Sequence, residues 1–233
     1  LNEVSPIKWL GNTVYLTPGS GNKSLLGRIL NNLQGMWGDL MILPLALKTH
    51  YDVIQVRDKF FASLIGWIAA KLTGSHFVYW MSYPFAESKL YQADNRLVPH
   101  HQLVWLKGKI IQKLLYDIIL PLADHIFVQS ERMKEDVAKY GIPNSKMTPV
   151  PMGIRSDQVG DGEKARAPHT DAPVLLYLGI ILQLRKSQIL VQVLQQVRLR
   201  YPKATLIYVG EGQLPSDRQA VEQEAVRLGL SDA

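Results

Sequence analysis

Two adjacent cations, Arg185 and Lys186, follow an apolar run that closes with Tyr177-Leu178-Gly179. The run reads as a β-strand, Gly179 as its end, and the basic pair as the mouth of the next helix. Two cations beside free helix N–H groups suit a diphosphate, whose charge they offset and whose oxygens accept from them. The alternative is a solvated basic turn. Val209-Gly210-Glu211-Gly212 follows a later strand in the same way. Its glycines let a ligand approach the backbone closely. Glu211 can accept from a ribose or sugar hydroxyl, or stand in water as an ordinary surface carboxylate.

Further candidates lie earlier in the chain. Arg57-Asp58 follows one strand and Ser82-Tyr83-Pro84-Phe85-Ala86-Glu87 follows another. Asp58 and Glu87 can handle protons, although Asp58 also fits as a cap for a helix beginning at Lys59. His100 and His101 have no carboxylate at ligand spacing, so no metal site is expected. With no cysteine in the chain, disulfides, cysteine–zinc sites and a thiol nucleophile are excluded. The G-x-S-x-G, H-E-x-x-H and Walker patterns do not occur.

These residues are useful only if strands and helices bring them to one rim. In open parallel sheets ligands bind where strands end and helices begin. Apolar runs predict strands over 13–16, 53–56, 76–80, 125–128, 174–178 and 205–209, the last of them buried, and extended backbone over 147–150. The 13–16 strand is closed by Pro18-Gly19-Ser20-Gly21. Helical periodicity predicts helices over 25–47 (interrupted near Gly35 and Gly38), 60–72 (ended by Gly74), 101–120 (stopped by Pro121) and 130–141 (capped by Ser130). A further helix places Ile189, Leu190, Val193, Leu194, Val197 and Tyr201 on one stripe. Ser216 with Gln219 suggests a capping box for the last helix, ending at Gly229. Residues 81–99 read as a polar and aromatic loop. The alternation of strand and helix predicts an α/β fold of two Rossmann-like parallel-sheet units. The first covers 1–150, a linker 151–172, and the second 173–233.

Composition narrows the partners. The 233 residues are 47% hydrophobic and 20% charged, which excludes a disordered tail or a coiled coil. The net charge is +6, with 16 basic against 11 acidic residues over 1–150 and 10 against 9 over 151–233. Such a bias suits an anionic surface or substrate, and also suits solubility alone. Lys107, Lys109 and Lys113 accompany Trp105, Leu106, Ile110, Ile111, Leu114 and Leu115 in the 101–120 helix. That helix can lie on anionic lipid, or pack its apolar stripe on the sheet with the lysines outward. The basic residues are otherwise scattered, so no nucleic-acid partner is expected. The apolar run 60–70 is too short to cross a bilayer, and the chain opens without a leader-like pattern. A cytoplasmic protein, peripheral on the inner face of a membrane, is the expectation.

In order and spacing, several segments resemble the family-four retaining glycosyltransferases of the GT-B type. They are Tyr51 to Asp58, Ala123 to Glu131, Pro149 to Ile154, Leu175 to Lys186, and Tyr201 to Gly212. The resemblance implies an N-terminal domain that receives an acceptor and a C-terminal domain that holds a nucleotide-sugar. It implies that Arg185 and Lys186, with Gly179, Glu211 and Gly212, contact the donor diphosphate and stabilise the leaving group with no metal cofactor. It puts Arg57, Asp58, Ser82, Tyr83 and Glu87 on the acceptor side. The acceptor implied is a polysaccharide, a lipid-linked or another glycan. In departure from the family pattern, Ile180 follows the glycine where Arg is usual, and Ser82-Tyr83 stands where a histidine is frequent. No catalytic residue is assigned.

The family's first strand is expected before residue 1 and its E-x7-E glutamates beyond Ala233. The chain therefore reads as an internal fragment with a truncated second unit and no turnover of its own. The rival readings are a nucleotide-sugar epimerase or a degenerate Rossmann-like binding or assembly module.

Overall fold

The computed structural model describes residues 6–16, 24–153, 172–212 and 214–232. The chain divides into two compact units, Leu1–Gly153 and Ile154–Ala233. Most of the expected linker, 154–171, lies outside the described residues, as does the Pro18-Gly19-Ser20-Gly21 segment.

The first unit is built on a four-stranded parallel sheet in the order β3 (Val53–Arg57), β4 (His76–Met81), β5 (His125–Val128) and β6 (Met147–Pro149). The register pairs Val56 with Tyr79, and Tyr79 with Ile126. Phe77, Tyr79, Met81, Ile126 and Val128 are almost wholly enclosed, each contributing about 1.5–3 kcal/mol of transfer free energy. Asp124 fixes the start of β5 against β4. Its carboxylate accepts from the Phe77 N–H at 2.7 Å, and its own N–H donates to the Phe77 carbonyl at 2.8 Å. Between β3 and β4, helix α3 (Phe60–Thr73) buries Ala62, Ala69 and Ala70 and ends at Gly74, whose φ of 73° is the left-handed stop the sequence predicted. After β5, Ser130 caps α7 (Glu131–Ala138), accepting from the Met133 N–H at 3.1 Å.

Several expectations change. The strand expected over 13–16 is β2 (Asn12–Tyr15), and it pairs antiparallel with an unpredicted β1 (Pro6–Trp9). The two-residue turn Leu10-Gly11, with φ of 47° and 81°, sets that hairpin. The next helix runs unbroken through both glycines as α1 (Leu25–Leu40) and breaks instead at Met41, before α2 (Ile42–Lys48). The cause is Pro44, which cannot donate to the Leu40 carbonyl and crowds it. The expected loop 81–99 contains a helix, α4 (Phe85–Asp94), that buries Ala86, Ser88 and Ala93.

α4 lies against α5 (His101–Lys113), at a contact so close that a Cβ on Gly108 would fall 2.9 Å from Leu90 Cδ2. The helix then widens into a π segment, Leu114–Ile119, and finishes as α6 (Leu120–Leu122). The expected apolar stripe is split, and within α5 itself Ile111 is buried. Leu115, Ile119 and Leu120 are enclosed, whereas Leu103, Trp105, Leu106 and Ile110 face water.

In the second unit, β7 (Val174–Leu178) and β8 (Thr205–Val209) form a parallel pair. Ile181, Val191 and Val221 centre its core, with α8 (Ile189–Arg200) and α9 (Pro215–Arg227) supplying the latter two. β8 is not the buried strand expected. Ile207 and Val209 are exposed, as are Val174, Leu176 and Leu178 beside them in register. On α8 the inward residues are Val191 and Leu194, while Ile189 and Val193 face out. α9 is not capped by Ser216 and Gln219. Pro215 takes the first turn and the Asp217 carboxylate accepts from the Leu214 N–H at 2.9 Å.

Candidate functional site

The carboxyl ends of β7 and β8 are joined by two glycines. Gly179 and Gly210 have φ of 152° and 153°, and a Cβ on Gly210 would fall 1.9 Å from the Gly179 carbonyl oxygen. No side chain fits there. Gly179 donates to the Val209 carbonyl at 3.0 Å and Ile181 to the Glu211 carbonyl at 3.0 Å, so the two loops continue the pairing beyond the strands. Ile181 and Gly212 form the last bridge. Glu211 itself is exposed.

Arg185 ends a 3-10 turn, Gln183–Arg185, and Lys186 follows with a left-handed φ of 50°. Both are exposed and neither has an ion-pair partner among the described residues. The Arg185 Nη1 lies 3.9 Å from where a Cβ of Gly179 would stand, which sets the guanidinium against the side-chain-free turn. Such a fork can hold two phosphate oxygens at once. The free helix amides expected beside it are occupied. Ile189, Leu190 and Val191 donate to the carbonyls of Lys186, Ser187 and Gln188.

Two buried polar groups hold this loop. Asp217 accepts from the Gln183 N–H at 3.1 Å as well as from Leu214. Ser187 Oγ donates to the Leu182 carbonyl at 3.0 Å and accepts from the Leu182 N–H at 3.2 Å. The Tyr208 hydroxyl donates to the Ser187 carbonyl at 2.8 Å. Its pKa is pushed up to about 12, first by burial and then by Tyr177.

In the first unit, Arg57, Asp58 and Ser82 meet at the carboxyl ends of β3 and β4. One Asp58 carboxylate oxygen accepts from the Ser82 N–H at 2.9 Å and the other from the Ser82 hydroxyl. Arg57 Nε donates to Ser82 Oγ at 3.2 Å, and its guanidinium lies 5.0 Å from the centre of the Trp80 ring. Asp58 therefore ties two strand ends together and does not cap α3, which has no side-chain cap. Burial, and then the Asp58 charge, push the Tyr79 hydroxyl well above its ordinary range. Tyr83 is turned away from this trio, donating to Ser88 Oγ at 2.9 Å.

Glu87 lines a crevice of about 520 Å3 together with Met81, Pro84, Tyr116, Ser130 and Tyr140. Tyr116 donates to Glu87 Oε1 at 2.7 Å and Tyr140 to the same oxygen at 3.3 Å. The two tyrosine rings stack at 3.7 Å, and Gln112 donates to the Tyr140 hydroxyl at 2.9 Å. Glu87 Oε2 is buried with no partner among the described residues. Burial and the hydrogen bond to Glu87 raise the Tyr116 hydroxyl far above its ordinary range, so it remains a donor. A crevice lined by a carboxylate-bearing side chain and stacked aromatic faces suits a hydroxyl-bearing ring, which would reach Glu87 Oε2 once that oxygen is uncovered.

Sequence reasoning missed Tyr116 and Tyr140. Tyr116 sits among aliphatic residues of one helix with a hydroxyl that must find a partner when buried. That was the available signal, but the π segment that aims it at Glu87 has no sequence pattern.

The chain is similar to several solved structures. The crystal structure of Anabaena Alr3699/HepE in complex with UDP aligns at a TM-score of 0.55 and 16% identity, over 88% of this chain and 51% of that one. The same protein with UDP-glucose aligns at 0.51 and 16%, over 89% and 57%. The lipopolysaccharide outer core galactosyltransferase WaaB, in its apo form, aligns at 0.48 and 18%, over 88% and 48%. The chain thus spans about half the length of these structures, and the likeness establishes an α/β fold of the GT-B type. No curated protein matches the sequence. Residues 19–158, more than half of the chain, match the model of Glycosyltransferase Family 4, and the chain belongs to that family.

Proposed function

We propose that the protein transfers a sugar from a nucleotide-sugar donor to a glycan or lipid-linked acceptor with retention of configuration, and that the second unit holds the donor diphosphate. The observation that carries this reading is the Arg185 guanidinium set against the Gly179–Gly210 turn at the carboxyl ends of β7 and β8. Negative charge grows on the departing diphosphate, and cations already in place lower that barrier without a metal. Lys186 adds a second charge beside Arg185. Gly179 leaves room for the ligand beside the guanidinium, Gly212 lets the second loop close on Leu214 and Asp217, where a Cβ would fall 2.9 Å from each, and Glu211 is exposed and able to accept from the ribose or sugar. That HepE takes UDP and UDP-glucose supports a uridine nucleotide as the donor's carrier.

On the acceptor side, the Glu87 crevice supports binding of a hydroxyl-bearing ring, while Arg57, Asp58 and Ser82 brace the ends of β3 and β4 and Tyr83 bonds Ser88. No described helix is long and apolar enough to cross a membrane; in the proposed reading a lipid-linked acceptor is met at the membrane surface, on the cytoplasmic side.

Calorimetric titration of UDP into the protein and into Arg185→Ala and Lys186→Ala tests the donor site. A lost hydrogen bond to a charged group costs about 1.5–3 kcal/mol, so Arg185→Ala is expected to weaken binding by tenfold or more and Lys186→Ala by less. Unchanged affinity in both variants refutes the assignment.

A further inference from the structure

α5 has an outer face that is exposed among the described residues. Its inner side is Val104, Gly108 and Ile111, held against α4 through the Gly108–Leu90 contact. On the outer side Leu103 is 67% exposed, Leu106 52% and Ile110 59%. The spacing i, i+3, i+7 sets these three in one ridge about 10 Å long. By the same helical spacing Lys107 flanks the ridge on one side, and Lys109 and Lys113 on the other. Trp105, 43% exposed, stands at the edge of the face, with the Lys109 ammonium 5.6 Å from its ring centre.

We propose that this face of α5 docks on an anionic lipid bilayer, the Leu103–Leu106–Ile110 ridge entering the head-group layer while Lys107, Lys109 and Lys113 meet lipid phosphates. The inference deepens the reading of a membrane-borne acceptor, but it requires no sugar transfer.

Charge complementarity selects this occupant. α5 contains three lysines and no carboxylate. None of the three has an ion-pair partner among the described residues, and Lys109 reaches only Gln112, at 3.2 Å. Lys89 of α4 adds to the same cluster. Burial, and then the Lys107 charge, hold its ammonium below the ordinary lysine range. An uncompensated positive cluster around an apolar ridge is the pattern of an interfacial helix, with long lysine stems reaching past the ridge to the head groups. A tryptophan at the margin is also typical of the membrane interface. Nucleic acid would meet the cations but not the ridge. The exposed apolar row of α1 (Leu26, Leu30, Leu33 and Trp37) has no comparable flanking lysines, and nothing identifies what covers it.

Co-sedimentation of the chain with phosphatidylcholine vesicles, with and without phosphatidylglycerol, tests the proposal in the absence of nucleotide. Binding is expected only to the phosphatidylglycerol vesicles, weakening as salt rises. The triple variant Lys107→Gln, Lys109→Gln, Lys113→Gln is expected to lose roughly a hundredfold in partitioning, about fivefold per lysine. Leu106→Asn with Ile110→Asn is expected to lose binding while unfolding at the wild-type midpoint. Wild-type protein that stays unbound, or variants that bind as well as wild type, overturn the proposal. So does a concentration-dependent dimer that Leu106→Asn dissolves, since the occupant is then a second copy. Because UDP titration is read separately, failure here leaves the donor site standing, and the reverse holds too.

Discussion

Removing one oxygen atom, by Tyr116→Phe, tests whether the Glu87 crevice is held together by its carboxylate. The change keeps the ring and its 3.7 Å stacking on Tyr140. It deletes the 2.7 Å bond to Glu87 Oε1 and leaves that carboxylate with the 3.3 Å bond from Tyr140 alone. A hydrogen bond to a charged acceptor contributes about 1.5–3 kcal/mol. Since Tyr116 is buried but Tyr140 is not, about 2 kcal/mol is the expected loss, lowering the unfolding midpoint by about 4–8 °C in a domain of this size.

Glu87→Gln behaves differently. Its amide oxygen still accepts from both hydroxyls, and the change removes a charge whose second oxygen has no partner among the described residues. It should alter stability by less than about 1 kcal/mol while impairing acceptor binding. Denaturant unfolding of both single variants and the double variant reads the coupling directly. A Tyr116→Phe protein as stable as wild type, or one that loses the same amount in the Glu87→Gln background, refutes the argument.

Two further outcomes are expected. Tyr79 and Tyr116 have hydroxyls raised above the ordinary value of 10.0, so the folded state keeps protons that the unfolded chain has lost. Their contribution to stability is complete below pH 10 and declines as the pH rises beyond it; tyrosinate absorbance that grows before circular dichroism reports unfolding contradicts this. Asp217→Ala strips the acceptor from the Gln183 and Leu214 amides. It should cost about 2–4 kcal/mol within the second unit, with amide exchange accelerated at Gln183 and Leu214; unaltered exchange there shows that the carboxylate does not hold the loop.

The parallel core was legible because its signals are local. A six-residue apolar β4, a glycine at the end of α3 and a serine before α7 each act through neighbours in sequence. α4 was not legible, since its three small buried residues, Ala86, Ser88 and Ala93, make too weak a stripe to outweigh Pro84 and the surrounding aromatic residues. The break in the first long helix was misplaced for a related reason. Gly35 and Gly38 weaken a helix without ending it, whereas Pro44 removes a hydrogen bond outright. The residues at the strand ends were legible as candidates, because that rule is topological. Their roles were not, because hydrogen-bond partners such as Ser82 for Asp58, or Tyr116 for Glu87, lie 24 and 29 residues away.

That partnering bears on which groups are free for chemistry. Asp58 and Glu87 were both candidate proton carriers at strand ends, yet Asp58 accepts from Ser82 through both of its oxygens. Using it as a base would undo the link between β3 and β4. Glu87 spends one oxygen on two tyrosines, and its other oxygen has no partner among the described residues. On the proposed reading, the acceptor hydroxyl is therefore received by Glu87, while Asp58 keeps the rim rigid. Charge neutralisation then falls to Arg185 and Lys186. The basic excess of the first unit has a separate use: three of its lysines border an apolar ridge on α5, not the strand ends where sugar chemistry is placed. On these two proposals, the charge that meets the donor and the charge that meets the membrane are carried by different elements, so each can be removed without touching the other.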